Sequence, residues 1–366
     1  MDDLRLWIRL TKTGASARRL NTLLAHFGSP DAIFGTSAAS LSTALRCSVS
    51  VAEKLLDPLY AATERDLELM ERLNTKLVTR KDPAYPALLA QIPDPPPAIY
   101  VRGTLRPSDC KAVGIVGSRR ASDYGRRIAD KLAMELAQAG YTVVSGLARG
   151  IDTSVHQGAL RAGGRTLACL GCGVDVVYPP ENRRLAQSVS ESGALVSEYP
   201  MMAPPDAWHF PSRNRIISGL SLGVVVLEAP AGSGALITAE CAVDQNREVF
   251  AIPGNVDNFR NQGAHALLRD GAALVESVQD ILDVLESRET QPRLDLGLEE
   301  PAAPAPPQLT PEESALLALL TEDPRPVDDL ILESSMPAGQ VNAGLLMLEM
   351  KGCARRLPGN AFVRLS

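Results

Sequence analysis

A chain of 366 residues with 45% hydrophobic and 22% charged residues is long enough for two or three domains with ample core, and its composition is that of an ordinary water-soluble fold. The net charge of −6 excludes a global basic field, so any nucleic-acid binding has to rest on a local patch and be salt-sensitive. No apolar run approaches the roughly 18 residues of a membrane helix. The first residues lack an apolar signal stretch and the six cysteines are scattered, so a cytoplasmic protein with reduced thiols and no membrane contact is expected.

Residues 1–75 read as short helices. Apolar residues recur at helical spacing in 4–8, 17–27 and 50–56, and Gly14 and Gly28 punctuate them. Acidic and basic residues balance here, which suits a small helical domain of helix-hairpin-helix or SAM-like type with a structural or protein-binding role.

Residues 76–286 form the body. Apolar strand runs at 112–117, 142–145, 166–170, 194–197, 223–228, 248–252 and 273–275 alternate with helical patterns at 123–139, 152–162, 181–191, 213–220, 235–246 and 263–269. Continuous apolar strands between helices predict an α/β fold, a doubly wound and mostly parallel sheet covered on both faces. Ligands of such folds bind beyond the carboxyl ends of the strands.

Several of those ends carry glycine with arginine or serine. The first gives Gly117-Ser118-Arg119-Arg120, where a glycine admits close backbone approach and Ser118 and Arg119 can donate to phosphate oxygens. The dinucleotide fingerprint and the Walker A pattern are both missing, so neither NAD nor a P-loop nucleotide is expected, and no cofactor is assigned. The next loop frames Arg149 between Gly146 and Gly150. Asp152, four residues before His156, reads as a helix cap beside a satisfied helix histidine in preference to a catalytic pair. Cys169 and Cys172 end an apolar strand with no second pair at zinc spacing, so they read as buried structural cysteines. After the run ending at 228, Ser233 and Gly234 open a helix from a Gly-rich turn, where backbone amides can meet phosphate or simply start a helix.

The densest signal is 210–221. A helix pattern beginning at 213 puts Arg213, Asn214 and Arg215 at or near a helix N-terminus, a setting for an anion, and Phe210 offers a ring to a base. Arginine, helix start and aromatic together suit single-stranded nucleic acid. The four histidines are dispersed, and neither a nucleophile–base pair nor a metal constellation accompanies the loops. That pattern reads as a binder of a phosphodiester chain and not as an enzyme.

Residues 287–311 read as a linker, with a Pro/Ala-rich spacer at 301–307. Helix patterns at 312–320, 326–333 and 338–350 followed by a strand at 361–365 suggest a winged helix. Acidic residues outnumber basic ones there and the 338–350 helix has no basic residue, so a protein contact is expected in preference to DNA reading.

The ordered set Gly117-Ser118-Arg119, 145–152, 171–182, 210–221, 233–240 and Pro253-Gly254-Asn255 resembles the DNA-processing protein A (DprA/Smf) family over about 80–285, and the flanking modules are similar to that family's SAM-like and winged-helix domains. The resemblance implies an extended Rossmann core that forms a homodimer. It also implies a single-stranded DNA binder that protects incoming strands and loads the RecA recombinase during natural transformation. It places DNA contacts at Arg119 and at Phe210, Arg213 and Arg215. Some members carry a lysine just before that phenylalanine; this chain has Asp206, Ala207, Trp208 and His209 instead, with Trp208 as a candidate stacking ring. An alternative is a nucleotide phosphoribohydrolase of the lysine-decarboxylase-like group, whose Pro-Gly-Gly-x-Gly-Thr-x-x-Glu motif is loosely echoed at 229–240, with Glu240 as the carboxylate.

Overall fold

The computed structural model describes residues 2–290, 309–321, 325–334, 336–351, 353–357 and 361–364, and the chain divides into two compact units, Met1–Gln291 and Pro292–Ser366. The spacer at 301–307 and the last residue of the expected 361–365 strand lie outside the described residues.

The first unit opens with six short helices, Asp2–Lys12, Ala17–Phe27, Pro30–Phe34, Ala38–Leu45, Val49–Leu55 and Glu64–Arg72. Such short segments need their free N–H groups satisfied, and the side chains of Ser16, Ser29, Ser37 and Thr63 accept from the first turns of four of them. Leu10, Leu20, Leu23, Ile33 and Leu41 form the core of this helical module.

A nine-stranded sheet follows: β1 (Thr75–Thr79), β2 (Ala98–Gly103), β3 (Ala112–Gly117), β4 (Thr142–Ser145), β5 (Thr166–Leu170), β6 (Ala194–Ser197), β7 (Gly223–Leu227), β8 (Glu248–Ala251) and β9 (Ala273–Leu274). Its order is β1-β2-β6-β5-β4-β3-β7-β8-β9. The seven strands from β6 to β9 in that order are mutually parallel, and β2 and β1 add antiparallel at the edge. Neither β1 nor β2 is predicted by the sequence pattern.

The central parallel strands are largely apolar because both faces are covered. Val116, Val144, Val224 and Val226 pack on one face with Ile216, Ile217 and Ala239, which come from the helices His209–Gly219 and Gly234–Asp244. Val113, Ile115, Val143 and Val225 pack on the other with Leu132, Leu136 and Val155, from the helices Asp123–Gln138 and Ile151–Arg161. Each fully buried aliphatic side chain contributes about 1.5–3 kcal/mol. The chain winds outward from β3 through β4 and β5 to β6, then returns to lay β7 on the other side of β3. The loops after β3 and β7 therefore diverge, and a crevice opens where the winding reverses.

The second unit holds the helices Pro311–Leu319, Val327–Ser334 and Ala338–Met350 and an antiparallel sheet of Arg325–Pro326, Ala354–Leu357 and Ala361–Arg364. Leu316, Leu330, Val341, Leu345 and Phe362 make its core. This is a winged helix. Its third helix leaves Leu346, Met347 and Met350 exposed.

Candidate nucleic-acid interface

The crevice at the winding reversal is a cleft of about 810 Å³ lined chiefly by the loop after β3, the turn after β7, the start of the His209–Gly219 helix, and Phe259-Arg260 after β8, with Ala148 and Asp152 from the segment after β4 and Tyr178 from the segment after β5. The β3 loop is held from three sides. Ile151 N–H donates to the Ser118 carbonyl at 3.2 Å, and Arg120 N–H donates to Ser118 Oγ at 3.1 Å. Glu228, buried at the end of β7, accepts from Ser122 N–H at 2.8 Å and from the Ser122 hydroxyl, while Ser122 caps the next helix through Gly125 N–H at 3.0 Å. Gly150 has φ +76°, and a Cβ there would stand 2.3 Å from the Ser118 carbonyl oxygen, so only glycine fits. This framework presents Arg119 and Arg120 to solvent, and among the described residues no carboxylate pairs with either.

The helix expected to begin at 213 begins at His209. Pro211 signals a break, but it sits in the first turn, where a missing N–H leaves no hydrogen bond unmade. Arg213 and Arg215 therefore lie in the second turn and not at a helix N-terminus. Their roles diverge. Arg213 is 4% exposed. Its Nη1 donates to the carbonyls of Gly146, at 2.8 Å, and Cys169, and among the described residues its Nε has no partner. Burial lowers its pKa, and Asp152 offsets part of its charge. Burial in turn pushes the Asp152 carboxyl up against the pull of Arg213. Asp152 does not cap its own helix: it accepts from Gly146 N–H at 3.1 Å and Ala148 N–H at 3.3 Å, folding the β4 loop back over Arg213. Arg213 is a buried brace that forms the floor of the cleft.

Arg215 points to the other side of the helix. It pairs with Glu198 at 2.5 Å and Asp94 at 3.2 Å and borders a separate cavity of about 400 Å³. Trp208 lines that second cavity and not the cleft; it is 61% exposed and its ring lies 4.1 Å from that of His209.

Phe210 does face the cleft. Its ring packs 5.6 Å from Tyr178, and the Arg119 guanidinium lies 5.2 Å from its centroid. Asn214 Nδ2 donates to the Gly234 carbonyl at 3.0 Å and joins the two walls, and among the described residues the Ser233 hydroxyl beside it has no hydrogen-bond partner. Gly117, Ser118, Arg119, Phe210, Arg213, Asn214, Ser233 and Gly234 thus come together. Arg149 does not: it pairs with Glu181 outside the lining. Glu240 is exposed and also outside the lining, which leaves the glycohydrolase alternative without its carboxylate at the cleft.

His156 is fully buried, and Thr166 Oγ1, whose own proton goes to the Val143 carbonyl, accepts from its Nδ1 at 2.7 Å. Burial takes its pKa down to about 3. It is a neutral core residue. Burial also pushes the Cys169 and Cys172 thiols up to about 12 and about 11. Among the described residues no group of three or more histidine, cysteine or acidic side chains is placed to hold a metal ion.

The sequence reading missed Tyr178, Phe259 and Arg260 and left Arg120 without a role. The available signal was a Phe-Arg pair in the polar segment that follows the Pro253-Gly254-Asn255 strand end. With these included, the charged residues of the lining are Arg119, Arg120, Arg213 and Arg260 against Asp152 alone, a cationic cleft in an acidic protein.

Fold and site define a Rossmann-like protein with a winged-helix appendage and an arginine-lined cleft, edged by an aromatic ring, at its switch point. Residues 76–286 match the family described as DNA recombination-mediator protein A, and residues 300–360 match the DprA winged helix domain. The chain belongs to that family. It is 39% identical over 323 residues to protein Smf of Escherichia coli, covering 86% of this chain and 84% of that one. It is 38% identical over 330 residues to protein Smf of Synechocystis sp., covering 81% and 82%. The X-ray structure of DNA processing protein A from Streptococcus pneumoniae superposes with a TM-score of 0.65 at 35% identity, covering 75% of this chain and 95% of that one. The structure describing the single-stranded DNA binding mode of the Helicobacter pylori protein superposes at 0.53 with 28% identity, covering 59% and 97%.

Proposed function

We propose that this chain binds single-stranded DNA in the switch-point cleft, shields it, and passes it to the RecA recombinase during natural transformation, acting in the cytoplasm as a homodimer through the Rossmann body. The observation that carries the DNA-binding part is the set of four arginines around one aromatic-edged cleft with a single, buried carboxylate. Phosphates meet exposed guanidiniums at Arg119 and Arg120, and a base meets the Phe210 ring. With a net charge of −6 the chain has no global attraction for DNA, so binding rests on this local patch. Membership of a recombination-mediator family, and a solved relative described by its single-stranded DNA binding mode, support the same reading.

The test is anisotropy titration of labelled oligo-dT and of a duplex over a range of salt. Single strands should be preferred, with log affinity falling linearly against log salt. Absence of binding, or a flat salt response, overturns the reading. RecA filament assembly on oligonucleotides coated with single-strand-binding protein, with and without this chain, tests the handover: assembly should be accelerated.

A further inference from the structure

Phe259 is 57% exposed at the cleft, in the turn after β8. Phe210 enters the cleft at the other end: a Cβ on Gly171, just after β5, would stand 3.1 Å from its ring. In the order β5-β4-β3-β7-β8 these two ends lie on opposite sides of the β3–β7 reversal. One loop reaches both rings. The Arg119 guanidinium stands over Phe210. The next residue's carbonyl, that of Arg120, accepts from Arg260 Nε at 3.2 Å, and the Arg260 guanidinium lies 4.9 Å from the Phe259 centroid. The result is an arc of ring, three cations and ring.

We infer that Phe259 is a second base-stacking platform and that the cleft takes a run of successive nucleotides, one base on Phe210 and a later one on Phe259, with the intervening phosphates on Arg119, Arg120 and Arg260. Four strand-to-strand steps separate β5 from β8, on the order of 19 Å at the usual spacing of about 4.8 Å. One stacked base advances a strand by only about 3.4 Å, so a single nucleotide does not reach both rings. An exposed phenylalanine costs solubility if it has no partner; a base face with a guanidinium alongside gives it one. The inference rests on the proposed DNA binding and adds to it a site length and a second contact.

The experiment measures affinity for oligo-dT of graded length, from two nucleotides to roughly a dozen, for the full chain and for Phe259→Ala, Phe259→Leu and Phe259→Tyr. Wild type should gain affinity in two stages as the strand reaches first Phe210 and then Phe259. Phe259→Ala and Phe259→Leu should keep the first stage and lose the second, by on the order of 5- to 100-fold, and Phe259→Tyr should restore it. An alanine variant with the wild-type length curve overturns the inference while leaving the DNA-binding reading intact. An equal loss at every length accompanied by dissociation of a dimer in sedimentation also overturns it, since Phe259 would then be a subunit contact. Wild type that binds no oligonucleotide defeats the underlying reading instead.

Discussion

The guanidinium of Arg119 stands 5.2 Å from the ring centroid of Phe210, although 90 residues separate them in the chain. A cation held against an aromatic edge gives a nucleotide both of its recognition elements at once, a donor fork for phosphate and a face for the base. Arg119 is exposed and among the described residues has no carboxylate partner, so its charge is available, whereas Arg213 and Arg215 spend theirs on protein atoms.

Arg119→Ala should therefore weaken oligo-dT binding by about 1–3 kcal/mol and leave thermal stability close to wild type, because no buried group loses a partner. Arg119→Lys should recover part of the loss, keeping charge without the fork. Anisotropy titrations beside melting curves check both; a variant that binds like wild type removes Arg119 from the interface.

Arg213→Ala should do the opposite first. It strips the Gly146 and Cys169 carbonyls of their donor and leaves Asp152 without its compensating charge, changes that cost about 3–5 kcal/mol in a buried site. Urea unfolding should show a large fall in midpoint, and DNA binding should fail because the β4 and β5 loops no longer pack. A variant that keeps full stability but loses DNA would reassign Arg213 to direct contact.

Much of this architecture is legible in the sequence. The seven parallel strands are largely apolar runs bounded by glycine and polar turns; each begins where its pattern begins, and β7, β8 and β9 end one residue short of it. β1 and β2 are not legible: Thr75–Thr79 alternates only weakly, and Ala98–Gly103 follows a proline cluster that suggests a loop. The residues of the cleft could be named one loop at a time, but not which loops meet, since that depends on strand order. Arg120 and Arg260 touch across 140 positions. Nor does sequence show that Arg213 is buried. Arginine is almost always exposed unless paired; here the hydrogen-bond acceptors are backbone carbonyls, which leave no mark in side-chain identity, and the compensating charge is Asp152 on another helix.

Glu228→Ala should test how the β3 loop is aimed. The carboxylate alone satisfies Ser122 N–H and receives its hydroxyl, so its loss leaves donors unpaired in a half-buried turn, at about 1 kcal/mol. DNA affinity should fall alongside, with an unchanged slope against salt, because Arg119 and Arg120 remain but are less well positioned. A changed slope would mean that phosphate contacts themselves are lost.

The Cys169–Cys172 pair should be inert. Both thiols are buried and their pKa values are raised to about 12 and about 11, so almost no thiolate exists at neutral pH. In the native protein a maleimide should label exposed Cys110 quickly and these two only after unfolding, read by mass spectrometry of digests. Rapid labelling of either would reopen a redox role.

His156 should govern part of the acid sensitivity of the fold. Its ordinary value is 6.5 and burial, helped by Arg213, holds it near about 3 in the folded state. Above about pH 6.5 both folded and unfolded chains carry it neutral, and it contributes nothing to pH dependence. Between those two values the unfolded chain takes up a proton that the folded chain refuses, so stability falls as pH falls, with a slope approaching one proton, about 1.4 kcal/mol per unit. The folded state recovers no compensation until its own histidine protonates near about 3. His156→Phe keeps an aromatic of similar size beside Thr166, whose hydroxyl still donates to the Val143 carbonyl. Urea midpoints of wild type and variant, compared at about pH 7.5 and about pH 5, should show the wild type losing more stability over that interval. Parallel losses would mean that His156 titrates normally, and that its burial does not set the acid limit.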